Sequence, residues 1–124
     1  MRLLLDTQVM LWWLLGDRRL RPETRELMAT NPCLVSVASI WEVAIKHRIG
    51  KLSIDPTGFR DHSLAVGATL LTIDDAHAIE TSNLPDIHED PFDRLIIAQA
   101  RIEALTAVSS DSRWGEYDVP LKRP

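Results

Sequence analysis

Short apolar runs and longer stretches with helical spacing alternate along the chain. Residues 2–5, apolar after Arg2, form a brief run ending at Asp6 and predict a short buried strand. Thr7 to Leu15 then predicts a helix that stops at Gly16-Asp17. Pro22 suits the first turn of a second helix reaching about Ala29, and Asn31-Pro32 breaks it. Residues 33–35 predict the next strand, and Ser36 or Ser39 can cap a helix that Gly50 closes. A weaker helix is expected over 59–66, a strand over 68–73, and a short helix over 76–81 capped by Asp74. Residues 83–90 are irregular and polar.

The clearest helix follows. Asp90 is a good N-cap, Pro91 occupies the first helical position and Asp93 the third, where a carboxylate favours the helix N-terminus. The run through Ala104 is apolar almost all round, with Arg94 and Arg101 making a narrow polar edge, which suits a helix packed on a sheet. Residues 105–108 predict a strand ending at Ser109-Ser110-Asp111, and 118–121 a last short edge strand. Helices alternating with short strands imply an α/β fold with a mostly parallel sheet and right-handed crossovers. With 124 residues and no linker or repeat, one domain over residues 1–124 is expected.

Composition narrows this little. The lone Cys33 lies in an apolar stretch and reads as a small core residue. One basic residue before a short apolar run cut by Asp6 is no signal peptide, and no stretch approaches the roughly 20 apolar residues of a membrane span. A soluble, cytoplasmic protein is the expectation. The formal charge of −4 argues against nucleic-acid binding by bulk electrostatics, but not against an enzyme that holds divalent cations. Of the basic residues, Arg18, Arg19, Arg21 and Arg25 lie closest together. They are either a phosphate-facing patch or a solvated helix face.

Ligands of open parallel sheets bind beyond the carboxyl ends of the strands. Asp6 and Asp111 both follow predicted strands, Asp93 lies in a first helical turn, and Glu42 sits among Ile40, Trp41, Val43 and Ile45. Carboxylates converging there would repel one another without cations, and Mg²⁺ or Mn²⁺ prefer such oxygen ligands. Such ions lower the pKa of bound water and support in-line attack on a phosphodiester. Each residue also has a plainer role open to it. Asp6 can cap the first helix, Glu42 can pair with Lys46, Asp93 can simply favour its helix terminus, and Asp111 can cap a turn. Asp90 reads as a cap that supports the site. Thr7, Ser109 and Ser110 can orient a neighbouring carboxylate or cap their own backbone. His47, His62, His77 and His88 match no zinc spacing and are not expected to be ligands or general bases; the segments around His77 and His88 carry no strong order signal.

At these residues the chain resembles PIN-domain ribonucleases, specifically VapC-type toxins of toxin–antitoxin pairs. Leu3-Leu4-Leu5-Asp6-Thr7 with Trp12-Trp13 resembles the first acidic motif, and Ser39-Ile40-Trp41-Glu42-Val43-Ala44-Ile45-Lys46 before Gly50-Lys51-Leu52 the second. Asp90-Pro91-Phe92-Asp93-Arg94-Leu95-Ile96-Ile97-Ala98-Gln99-Ala100 resembles the third. Ser109-Ser110-Asp111, with Trp114 and Tyr117, resembles the fourth. The resemblance implies a three-layer α/β/α sandwich in which Asp6, Glu42, Asp93 and Asp111 form an Mg²⁺ or Mn²⁺ site. It implies an endoribonuclease acting on structured RNA such as tRNA or ribosomal RNA, a homodimer, and a VapB-like antitoxin as inhibitor. Gln8 stands where many relatives have His, and Ser109 where Thr is usual. Neither departure removes an acidic ligand.

Two other readings share parts of this pattern. A phosphatase or related phosphoryl-transfer enzyme would use the same carboxylates, but Gln8 stands where an aspartyl nucleophile's partner Asp is expected. A non-catalytic binding module would be expected to have lost a ligand. The cluster from Met10 to Leu15 is apolar on more faces than one sheet contact needs. It is expected to serve either the core or an interface with a second copy or the antitoxin.

Overall fold

The computed structural model describes residues 1–124. Five strands, β1 (Leu3–Leu5), β2 (Cys33–Ser36), β3 (Thr69–Leu71), β4 (Thr106–Val108) and β5 (Leu121–Lys122), form one sheet in the order β3-β2-β1-β4-β5. Every pairing is parallel, with Leu4 opposite both Leu34 and Ala107. Helices α1 (Thr7–Leu15), α2 (Pro22–Thr30), α3 (Val37–Arg48), α4 (Pro56–Ala65), α5 (Asp75–Glu80) and α6 (Pro91–Ile102) connect the strands.

Alternation along β1 divides the core in two. Leu3 and Leu5 point into a cluster with Val9, Met10, Met28, Val43 and Phe59, whereas Leu4 packs with Ile96, Ile97, Ala100, Trp114 and Tyr117 on the other face. A sheet buried on both faces needs apolar residues at every strand position, which is why β1 reads Leu-Leu-Leu rather than alternating. The result is the expected α/β/α sandwich. No helix is long and apolar enough to cross a membrane.

Local chemistry accounts for most boundaries. Gly16 ends α1 in the left-handed conformation (φ 64°), donating its N–H to the carbonyls of Trp12 and Trp13. Asp55 caps α4, which therefore starts three residues earlier than its apolar pattern suggests. α6 ends at Ile102 rather than Ala104. Ala104 turns left-handed (φ 54°), letting the Leu105 N–H reach the Ala100 carbonyl at 2.9 Å. The last strand lies at 121–122, later than expected, because residues 112–116 form a 3-10 turn that no periodicity signals.

Trp12 is a core residue only 7% exposed, with the Arg19 guanidinium 4.8 Å above its ring. The interface reading of this cluster therefore does not extend to Trp12. Trp13 and Leu14 are half-buried, and Leu15 is exposed. The Arg18–Arg25 segment is largely engaged in structure. Arg19 pairs with Asp17, Arg25 donates to the carbonyls of Asp17 and Leu20, and Arg21 donates to the carbonyl of Pro124. Cys33 is buried, which pushes its thiol up to about 11 and leaves it inert.

Candidate functional site

Strand order reverses at β1: the chain moves out through β2 and β3 on one side, then returns to β4 and β5 on the other. The carboxyl ends of β1 and β4 thus flank a topological switch point, where open parallel sheets leave a crevice. A cavity of about 270 Å³ opens there, lined by Asp6, Glu42, Asp90, Asp93 and Asp111 with a single hydrophobic residue, Leu11. Four chain segments supply these carboxylates, and none of the four proposed ligands is left outside the cavity.

Asp6 ends β1 and is at once the N-cap of α1, accepting the Val9 N–H at 2.7 Å on Oδ1. Its other oxygen takes a very short hydrogen bond from the Ser109 hydroxyl. Capping and site formation are thus the same geometry, not competing explanations. Burial, with smaller contributions from the charges of Glu42 and Asp111, raises the Asp6 pKa to about 6 against the lowering effect of those hydrogen bonds.

Glu42 projects from α3, which Ser36 caps. Thr7, first residue of α1, donates its hydroxyl to Glu42 Oε1 at 2.7 Å and stands 2.8 Å from Ser39 Oγ. Lys46, one turn on, holds Glu42 Oε2 at 2.7 Å. The i,i+4 pair expected from the sequence is present, and the same carboxylate still faces the cavity.

Asp90 caps α6 through the N–H groups of Phe92 and Asp93, and Asp93 points into the cavity from the first turn. Burial raises the Asp93 pKa to about 7. The Asp90 and Asp6 charges add to the rise, while His88 and the Trp114 indole oppose it. Asp111 behaves oppositely. Burial raises its pKa, but hydrogen bonds from Arg113 and His88 outweigh that and hold it at about 2. Ser110 lines the cavity from an exposed position, whereas Ser109 is fully buried behind Asp6.

His88 corrects the sequence reading. It is buried, not adrift in an irregular segment, because Tyr117 Oη accepts its backbone N–H at 2.9 Å. Its Nδ1 accepts the Asp90 N–H at 3.0 Å, which leaves the proton of the neutral ring on Nε2. Nε2 lies 2.8 Å from Asp93 Oδ2 and 2.9 Å from Asp111 Oδ2, so the ring joins two carboxylates from different segments. With both ring nitrogens engaged, His88 acts here as a hydrogen-bond donor to the acidic cluster. Sequence spacing alone does not find it, since Asp93 lies past the α6 cap and Asp111 follows β4, 23 residues on. His77 is also buried, bonded to the Asp74 N–H and to Glu103, and ties α5 to the end of α6. His47 bonds the Leu52 carbonyl, and His62 is exposed; neither lines the cavity.

The donor set suits a hard divalent cation. It is mostly carboxylate oxygen on the cavity side, with His88 Nε2 grouped beside Asp93 and Asp111, and in Asp6 and Asp93 it includes groups whose charge the protein itself leaves poorly compensated.

These features define a parallel α/β protein with a carboxylate-lined pocket at its switch point. A family model described as PIN domain matches residues 3–120, and the chain belongs to the PIN domain family. Comparison with curated protein sequences finds no match. Among solved structures, VapBC2 from Rickettsia felis bound to a promoter DNA fragment is similar at TM-score 0.78 and 16% identity, covering 99% of this chain and 98% of that one. DNA-bound VapBC from Salmonella typhimurium matches at TM-score 0.67 and 16% identity, with the same coverage. FitAcB from Neisseria gonorrhoeae matches at TM-score 0.66 and 18% identity, covering 96% and 95%. At these identities the likeness is one of fold.

Proposed function

We propose that the chain is a Mg²⁺- or Mn²⁺-dependent endoribonuclease, the VapC-type toxin of a toxin–antitoxin pair, that hydrolyses phosphodiester bonds of structured RNA such as tRNA or ribosomal RNA. The observation carrying this reading is the convergence of Asp6, Glu42, Asp93 and Asp111 on one cavity at the switch point of a PIN-domain sheet. Similarity to chains of VapBC and FitAB complexes supports an antitoxin partner. A homodimer and a cytoplasmic location accompany the same reading.

Asp6, Glu42, Asp93 and Asp111 would hold the cation. When bound, it supplies an activated water and neutralises the leaving oxygen. The chain's own contribution is orientation. Ser109 and the α1 N-terminus hold both oxygens of Asp6, Thr7 holds Oε1 of Glu42, and His88 stands between Asp93 and Asp111. Carboxylates fixed in this way lose little freedom on binding a cation, so the site is organised before the substrate arrives.

The test is incubation of purified chain, free of antitoxin, with a pool of structured cellular RNAs in Mg²⁺, Mn²⁺ or EDTA, beside folded Asp6→Asn. Cation-dependent cuts at discrete positions, absent in EDTA and in the variant, are expected. Intact RNA under every condition would overturn the proposal.

A further inference from the structure

The proposed substrate poses an electrostatic problem that the acidic cluster does not solve. A phosphodiester must enter a cavity lined by carboxylates in a chain of formal charge −4. The arginines at 18–25 do not line that cavity. Two cationic side chains do: Lys46 and Arg113.

Both are held in the same manner. Lys46 Nζ bonds Glu42 Oε2 at 2.7 Å, and Arg113 clasps Asp111 through Nε to Oδ1 at 3.2 Å and Nη2 to Oδ2 at 3.1 Å. Both partners are carboxylates proposed to hold the cation, and both cations keep solvent access, with side chains 43% and 52% exposed. In each pair it is the cation that faces solvent, so it can turn to a new anionic partner once its carboxylate is taken. The two cations also approach from different directions. α3 follows β2 and the Arg113 turn follows β4, the strands on either side of β1 and Asp6.

We infer that Lys46 and Arg113 are the RNA-backbone-binding residues of this cavity, each resting on a carboxylate until a divalent cation takes that carboxylate over. Cation binding at Glu42 and Asp111 frees the ammonium and the guanidinium for the non-bridging oxygens of the phosphodiester. The planar guanidinium suits two oxygens at once, and the ammonium acts as a point charge. Cation occupancy and RNA affinity are thereby coupled: without the cation, both positive groups are neutralised inside the protein. The inference rests on the ribonuclease reading for its substrate, but concerns binding and is tested separately from cleavage.

The experiment measures anisotropy of fluorescently labelled total tRNA with full-length wild type, Lys46→Met, Arg113→Met and the double variant, in Ca²⁺ and in EDTA. Ca²⁺ takes the same oxygen ligands. Calorimetry of Mn²⁺ binding without RNA accompanies it. Wild type is expected to bind RNA at least about tenfold tighter with Ca²⁺ than in EDTA, and each single variant to lose about tenfold, as for a charged hydrogen bond. In the double variant the log–log salt dependence is expected to flatten by about 1.4–1.8. Mn²⁺ affinity should stay level or rise, since each carboxylate has lost an internal competitor. Lys46→Arg should restore RNA binding in part. RNA affinity unchanged in the double variant would overturn the inference. So would a parallel loss of Mn²⁺ affinity, which would mark both residues as mere supports of the carboxylates. Wild type that binds RNA in this pattern but never cuts it would sink the nuclease reading alone. Wild type that neither binds nor cuts would sink both.

Discussion

His88 Nε2 lies 2.9 Å from Asp111 Oδ2, although the two residues belong to segments on opposite sides of α6 and β4 in the chain. The same nitrogen lies 2.8 Å from Asp93 Oδ2, so one ring nitrogen stands between two carboxylates that would otherwise repel, hydrogen-bonded to Asp111. Removing it should loosen the cluster while leaving every carboxylate in place. His88→Leu is expected to lower cleavage at least about tenfold through lost orientation. His88→Gln, which can present an N–H near the same point, should recover part of the loss. Equal activity of wild type and His88→Leu in steady-state kinetics would refute this.

Thr7 tests the other side of the cavity. Its hydroxyl holds Glu42 Oε1 in a buried setting and also bonds Ser39 Oγ, so Thr7→Val removes both hydrogen bonds without changing shape much. A stability loss of about 1–3 kcal/mol is expected in urea titration, because a buried charged acceptor loses its donor. Mn²⁺ affinity should fall along with it. If the loss of stability came with unaltered Mn²⁺ binding, Thr7 would support only the fold.

Asp6 and Asp93 make a pH-dependent prediction for the cation-free chain. Their pKa values in the folded protein, about 6 and about 7, stand above the ordinary carboxylate value of 3.8. The folded state therefore holds their protons more tightly than the unfolded state. Their contribution to stability is full below pH 3.8 and is lost as pH rises through 6 and 7. In EDTA, Asp6→Asn and Asp93→Asn should each match wild type near pH 4 and exceed it near pH 8, by about 1–3 kcal/mol. Mn²⁺ should narrow the difference at pH 8. A stability difference that does not grow with pH in denaturant titrations would contradict the electrostatic strain inferred here.

Trp12 distinguishes core from interface on α1. Trp12→Ala should cost about 3–5 kcal/mol, the usual cost of emptying a buried aromatic site. Its indole Nε1 has no hydrogen-bond partner, so Trp12→Phe should cost much less. Leu15, 73% exposed, should be nearly neutral when changed to Ser. Thermal melts of the three variants check the order.

How much of this was legible beforehand depended on the range of the interaction responsible. Strands, helices and caps follow from neighbours within a few residues. Asp6 before α1, Ser36 before α3, Asp74 before α5 and Asp90 before α6 all cap where their local context predicts. The weakest expectations fell where no such signal exists: the 3-10 turn at 112–116 and the displaced β5. The left-handed Ala104 is a third case, since alanine does not advertise that conformation as glycine does.

The sequence by itself determined the α/β alternation, the burial of β1 and the placing of Asp6, Asp93 and Asp111 at strand or helix ends, because these depend on local periodicity and capping. Its resemblance to a family added which carboxylates belong together. Only the tertiary structure decided that Ser109 reaches Asp6, that Thr7 reaches Glu42, and that His88 joins Asp93 to Asp111. It also decided that Lys46 and Arg113, rather than the arginines at 18–25, line the cavity. The physical reason is that these contacts depend on the strand order, β3-β2-β1-β4-β5, which brings the ends of β1 and β4 together although about a hundred residues separate them. Hydrogen bonds and charges act over a few ångströms of space, and distance along the chain does not reveal which groups the sheet will bring that close.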